Sequence, residues 1–247
     1  MPDLALVHAI ERATLSALPA PRQSFDGPFV IKAFHGGTGR GNAAASLDPS
    51  PDSALPARIA RIEAMYRRLG LPPRFRSTPL DPAGLGELLA ARGYRQSEDN
   101  VVFAGSTEVA AVDAAVRDEG GPTEAWMALI ATAEYQVPAR QAEKRETPGL
   151  LAAAGAWLIL REDGEDAACL SSVAGGGCCG IFDLVTRPEF RRRGHGARLI
   201  RAAAAWGRAL GATTLFAHVA GSNAASRALQ ESCGMREAYR YRYWLAD

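Results

Sequence analysis

The chain has 247 residues, 47% of them apolar, and a formal net charge of +1 from 28 Lys and Arg against 27 Asp and Glu. That length buries a real core in one large or two small domains, and a charge near zero sets up no global field toward nucleic acid or a membrane surface. No stretch supplies the ~18 consecutive apolar residues of a membrane helix, and the start lacks the basic and apolar regions of a signal peptide, so a cytoplasmic protein is expected.

In chain order, Leu4–Leu18 reads as a helix ended by Pro19 and Pro21. Phe29–Phe34 and Asn42–Leu47 read as partner strands, and the glycines from Gly36 to Gly41 between them as a hairpin turn. Ala57–Leu69 has an apolar stripe of Ile59, Ile62, Met65, Tyr66 and Leu69. A short strand Phe75–Ser77, a helix Gly84–Ala91 and a strand Val101–Phe103 follow, then a linker near Gly105–Gly121. Two helices are expected over Glu124–Ala133 and Ala139–Ala154, the second breakable at Pro148-Gly149. Strands over Ala156–Arg161, Ala167–Val173 and Cys179–Thr186 come next, then a helix closed by Gly211 and a strand Thr214–Val219. The last strand, Ala238–Leu245, sets Tyr239, Tyr241 and Tyr243 on one face and Arg240, Arg242 and Trp244 on the other.

The four cysteines, Cys169, Cys178, Cys179 and Cys233, have no C-x-x-C spacing. They suit neither a zinc clamp nor a disulfide framework, so no metal is expected and the thiols point to a reducing compartment.

Chemistry concentrates after strand Cys179–Thr186, in Arg191-Arg192-Arg193-Gly194-His195-Gly196. A strand that ends in a basic, glycine-interrupted turn and then a helix holds phosphate: the first helical amides lack partners and the dipole favours an anion. Seven arginines lie between Arg187 and Arg208 against one acid, Glu189. Arg191 to Arg193 are expected at the phosphate; Arg198, Arg201 and Arg208 are expected on a solvated helix face. Neither a dinucleotide fingerprint nor a Walker A loop is present.

The R-x-x-G-x-G pattern, followed by Asn223-Ala224-Ala225-Ser226-Arg227-Ala228-Leu229 and Gly234-Met235, resembles the two acyl-CoA motifs of the GNAT N-acetyltransferase superfamily. The resemblance implies an α/β (α+β) fold with a mixed, mostly antiparallel sheet and helices on both faces. It implies a working domain over 111–247, and the order of elements over 1–110 resembles the degenerate lobe that some family members carry. The implied reaction is acetyl transfer from acetyl-CoA to a primary amine of a small molecule or peptide, with a non-catalytic acyl-CoA-binding module as the alternative. Leu184, Val185 and Thr186 would pair with the pantetheine arm, and Arg191, Arg192, Arg193, Gly194, His195, Gly196 and Ala197 would surround the pyrophosphate. His195 reads as an extra contact or a solvent-facing filler. Asn223 reads as a helix cap, with or without a pantetheine contact.

His218 is the candidate base, since an imidazole near its ordinary pKa of ~6.5 accepts a proton at neutral pH; it also reads as a packed strand histidine. Asp183, a lone carboxylate in an apolar strand, is the second candidate, or else anchors a turn or pairs with an arginine. Gln230 stands where the family usually has a thiolate-protonating tyrosine, which leaves Tyr239, Tyr241, Tyr243 or water for that step. No nucleic-acid or membrane partner is expected, and a homodimer through the C-terminal strand is compatible with the sequence.

Overall fold

Asp3 starts the first helix, α1 (Leu4–Ala17), its carboxylate accepting from the amides of Ala5 and Leu6 at 2.9 and 3.3 Å. The computed structural model describes residues 2–97, 99–108, 113–133 and 136–246. The buried stripe of α1 is Val7, Ile10, Glu11, Thr14 and Ala17, a helical spacing that includes two polar residues. Strands β1 (Arg22–Asp26), β2 (Phe29–Ala33) and β3 (Ala44–Ser46) follow, then α2 (Leu55–Arg68), β4 (Arg74–Ser77), α3 (Leu85–Ala91), β5 (Arg95–Gln96) and β6 (Asn100–Ser106). The second half runs β7 (Val116–Asp118), α4 (Glu124–Ala131), α5 (Pro138–Glu146), β8 (Ala154–Glu162), β9 (Glu165–Gly175), β10 (Cys178–Thr186), α6 (His195–Ala209), β11 (Thr214–Ala220), α7 (Ala224–Ser232) and β12 (Arg236–Leu245).

Two expectations change. The helix expected over Ala139–Ala154 stops at Glu146 and passes through the single turn Thr147–Leu150, and Ala154 already belongs to β8. Pro148 removes a helical donor, and pairing of Ala154 with Ala174 of β9 outweighs the helix preference of an alanine run. The linker segment holds β7, which pairs with Leu158–Leu160 of β8. Strand β1 escapes notice because its one large apolar residue, Phe25, faces solvent.

The strands form one mixed, mostly antiparallel sheet in the order β1-β2-β3-β4-β12-β6-β11-β10-β9-β8-β7, with β5 beside β12. Strand β6 of the first half lies between β11 and β12, while the end of β12 pairs with β4 and β5. Thus β12 pairs with β6 along its first part and with β4 and β5 along its end. Alternation along β10 places Cys179 and Ile181 in the core under α6, and Cys178 and Phe182 in the core under α1. A separate core joins β2, β4, α2 and α3 and takes in Trp244 of β12. Among the described residues no helix is long and apolar enough to cross a membrane.

Candidate active site

Strands β10 and β11 run parallel, but only Cys178–Ile181 pairs with Thr214–Ala217. Both strands continue past that point, so their facing edges are unpaired from Phe182 and His218 onward. The parting coincides with a bulge in β10: its register against β9 shifts between Phe182 and Val185, and Asp183 sits at φ 54°. Val185 and Thr186 therefore keep β9 on one side, with Leu184 in the bulge, and the edge of these residues toward β11 has no strand partner, though the Thr186 carbonyl accepts from Arg191 Nε at 3.3 Å. That is the arrangement an extended ligand needs to add itself as a strand.

Beyond the strand, Pro188–Phe190 forms a short turn and the arginine triplet leads into α6. Gly194 caps the helix at φ 81°, which a side chain would strain, and no side chain bonds the helix start. Among the described residues no acceptor meets the amides of Gly194, His195, Gly196 or Ala197; the ladder begins with Arg198 N to Gly194 O at 3.2 Å. Arg191, Arg192 and Arg193 are exposed around these amides. The first N–H groups of the helix thus face one solvent-exposed spot, while Arg191 donates to Thr186 O at 3.3 Å and Arg193 to Glu162 at 3.1 Å and to Glu189 O at 3.3 Å. Gly196 lets α7 approach: a Cβ there would lie 2.7 Å from Leu229.

His195 departs from the expectation. Its ring is 1% exposed, with Nε2 2.9 Å from a Glu162 carboxylate oxygen that also accepts from Arg193 at 3.1 Å. Its side chain therefore fastens the loop to β8, and only its amide faces the anion position. Asn223 is a cap: its side chain accepts from Ser226 N at 2.9 Å.

Where β10 and β11 part, a cavity of about 510 Å³ is lined by Phe182, Asp183, His218 and Ala220, and further by Arg40, Tyr241 and Tyr243. His218 Nε2 lies 3.0 Å from Thr14 Oγ1 of α1, and the ring stacks on Phe182 at 6.4 Å and meets Tyr241 edge-on at 5.4 Å. With the proton on Nε2, the hydroxyl of Thr14 accepts it, and Nδ1, which is buried without a protein partner, is a bare acceptor. Burial, then Arg40 and Arg76, push the imidazole well below its ordinary pKa, so it is neutral at pH 7. Its surroundings thus move it away from the near-neutral titration expected of it.

Asp183 is ion-paired with Lys144 of α5 and accepts from Ser171 Oγ at 3.3 Å. Burial alone would raise its carboxyl, but Lys144, and after it Arg40 and Ser171, hold it below the usual range. It is a fixed anion that ties α5 to the bulge. Of the tyrosines, Tyr239 is buried and donates to Glu11, while Tyr241 and Tyr243 line the cavity. Gln230 is buried and its Oε1 has no protein partner.

The glycine-rich turn is a hairpin loop between β2 and β3, as expected. Its amides form an anion nest already filled by the protein: Glu143 of α5 accepts from the amides of His35, Gly37 and Thr38 at 3.2, 2.9 and 2.6 Å and from Asn42 Nδ2 at 2.8 Å. Sequence reasoning missed Thr14, Arg40, Glu143 and Lys144. For Thr14 a signal existed, a hydroxyl on the apolar stripe of α1. Glu143 and Lys144 sit in a charged helix that reads as solvated, and Arg40 lies in a loop whose path sequence does not give.

Comparisons with known proteins give a family match and shared folds. A family model described as "Probable histone acetyltransferase Rv0428c C-terminal" matches residues 5–244. The "Uncharacterized N-acetyltransferase YobR" of Bacillus subtilis is 25% identical over 248 residues, 96% of this chain and 97% of that one. A GCN5-related N-acetyltransferase from Kribbella flavida superposes with a TM-score of 0.69 at 20% identity, covering 96% of this chain and 94% of the other. A tandem GNAT protein from the clavulanic acid biosynthesis pathway gives 0.62 at 13% identity, with 96% and 87% covered. These likenesses share the fold.

Proposed function

We propose that this chain, which belongs to the family of the probable histone acetyltransferase Rv0428c C-terminal region and is a GNAT acyltransferase, moves an acetyl group from acetyl-CoA to a primary amine of a small molecule or peptide. The observation that carries the donor is the row of unpartnered amides from Gly194 to Ala197 beside the parted edge of β10. Those amides and Arg191 to Arg193 would hold a pyrophosphate, and the strand edge of Leu184, Val185 and Thr186 that β11 leaves open would pair with the amide-bearing arm of the same molecule. Acetyl-CoA supplies an activated acyl group with a thiol leaving group.

The chain's own residues then serve the amine. His218, neutral at pH 7 and held by Thr14, takes the proton that the amine loses on attack, through Nδ1. Asp183 has a positioning role, because Lys144 occupies its carboxylate. With Gln230 unable to give a proton and Tyr239 committed to Glu11, the leaving thiolate is protonated by Tyr241, Tyr243 or water. The acceptor enters by the cavity beside His218, which the loop after β2 and helix α5 wall. The first 110 residues thereby supply part of the acceptor wall, the use we propose for the degenerate lobe. The free cysteines, three of them buried, fit a cytoplasmic site of action.

Calorimetry with CoA and a thiol-release assay on acetyl-CoA with a panel of amines test the reading. Heat of binding and amine-dependent thiol release are expected. Absence of CoA binding removes the donor assignment, and binding without release on any amine removes the transfer.

A further inference from the structure

The cavity has a charge pattern that the reaction alone does not require. Two carboxylates line it, Glu143 and Asp183. Glu143 is consumed by the hairpin loop, and Asp183 by Lys144. Among the described residues lining it, no carboxylate is left to receive an ammonium group. Cations are left over. Among the described residues no carboxylate lies in ion-pair range of Arg40 or Arg74, although both line the cavity. Arg74 lies over the Tyr243 ring at 5.9 Å. Arg40 donates from Nη1 to Tyr241 Oη at 3.1 Å and lies 6.0 Å from the Phe182 ring centre, while its Nε is buried with no protein partner.

A half-buried guanidinium that no carboxylate contacts directly, with Asp183 acting on it only at longer range, is costly unless a ligand completes it. Its planar fork suits a carboxylate. Arg40 and His218 also share two neighbours, Phe182 and Tyr241. A carboxylate on Arg40 would therefore lie only a few bonds from an amine at His218.

We propose that the acceptor is a small amino acid, an amine bearing a carboxylate a few bonds from its nitrogen, and that Arg40 is the residue that reads the carboxylate. This rests on the transferase reading above. The same pattern disfavours polycations, since a second ammonium group would meet Arg40 and Arg74 with no free acid among the described residues that line the cavity.

Two measurements on the full chain test it. Thiol release is compared across matched sets: the standard amino acids, their amides, their decarboxylated amines, phosphoethanolamine against β-alanine, spermidine, and a lysine-rich peptide. Turnover is expected with amino acids and much less with their amides and amines. In the second, N-acetylated amino acids and their amides are titrated into the CoA-loaded protein, which reads carboxylate recognition as product binding without needing turnover. Arg40→Gln should weaken the acid by about 30-fold or more and leave the amide and CoA itself unchanged. Arg40→Lys should recover only part of the loss, because it restores charge without the fork.

Preference for spermidine, the lysine-rich peptide, amides, decarboxylated amines or phosphoethanolamine overturns the proposal, as does an Arg40→Gln variant that binds acid and amide as the wild type does. If CoA binds and no amine in any set is acetylated, the transferase reading itself falls, and this inference falls with it. Turnover on non-carboxylated amines alone sinks this inference and leaves transfer standing.

Discussion

Lys32 is 2% exposed in β2, and its ammonium donates to Leu18 O at 2.7 Å. Burial, then Arg76 and Arg40, push its pKa down to about 7. In the unfolded chain a lysine titrates near ~10.4, so between these values the unfolded state holds a proton that the folded state has released. Raising the pH through that window therefore stabilises the fold, by about 5 kcal/mol in total if the whole shift is expressed. Urea midpoints should climb from pH 7 toward pH 10 in the wild type and stay flat in Lys32→Met. His218 works at the other end of the scale. Its pKa is depressed in the fold, so below the ordinary ~6.5 the unfolded state takes up a proton first, and acid destabilises the protein through this residue. As a base it is already deprotonated throughout the neutral range. His218→Ala should lower kcat by ~10²–10⁴-fold with CoA affinity unchanged, and the wild type should show no inflection from this residue between pH 6 and 8. An unchanged kcat removes it as base. The position of His218 was legible in the sequence, one strand before the Asn223 cap. Its electrostatics were not, because Arg40, Arg76 and Thr14 reach it from three distant segments.

Helix α5 and the loop after β2 act as one unit through Glu143, a buried carboxylate with four donors. Replacing it with Gln keeps the shape but puts a donor among donors. Glu143→Gln should cost about 1–3 kcal/mol and loosen residues 35–42, which hydrogen exchange of those amides would report. Faster exchange confined to that loop is the expected result. At the helix that faces the donor, Gly194→Val places a branched side chain at a left-handed backbone position, in space that is otherwise open. It should weaken CoA binding at least tenfold while far-UV circular dichroism stays native; equal affinity would show that the ligand does not lie on these amides. Elements of this kind announce themselves locally. The R-x-x-G-x-G turn, the Gly211 stop and the β2–β3 hairpin were all readable from their residues. The end of α5 was ambiguous because an alanine run satisfies a helix, and only the β9 partner strand decides otherwise.

Across the whole molecule, the first and last elements are locked by a buried cluster. Glu11 of α1 pairs with Arg76 of β4, at 2.8 Å for one of its two bonds, and accepts from Tyr239 of β12. Glu11 is 1% exposed and Arg76 4%. Arg76 also lies 4.0 Å from the Tyr241 ring centre. Glu11→Ala would leave a buried guanidinium unpaired, and we expect a loss of about 3–5 kcal/mol in chemical denaturation. A loss below 1 kcal/mol would mean that water or rearrangement satisfies Arg76. Nothing in the local sequence marks these residues as partners, since they are 65 and 228 positions apart. The sheet shows the same long reach. Because β6 is inserted between β11 and β12, and β12 returns to β4, neither half of the chain can finish its own hydrogen bonding. A ribosome making this chain must therefore release β12 before β4 and β6 acquire their last neighbour. Until then the nascent chain exposes an unfinished strand edge of the sort that chaperones bind.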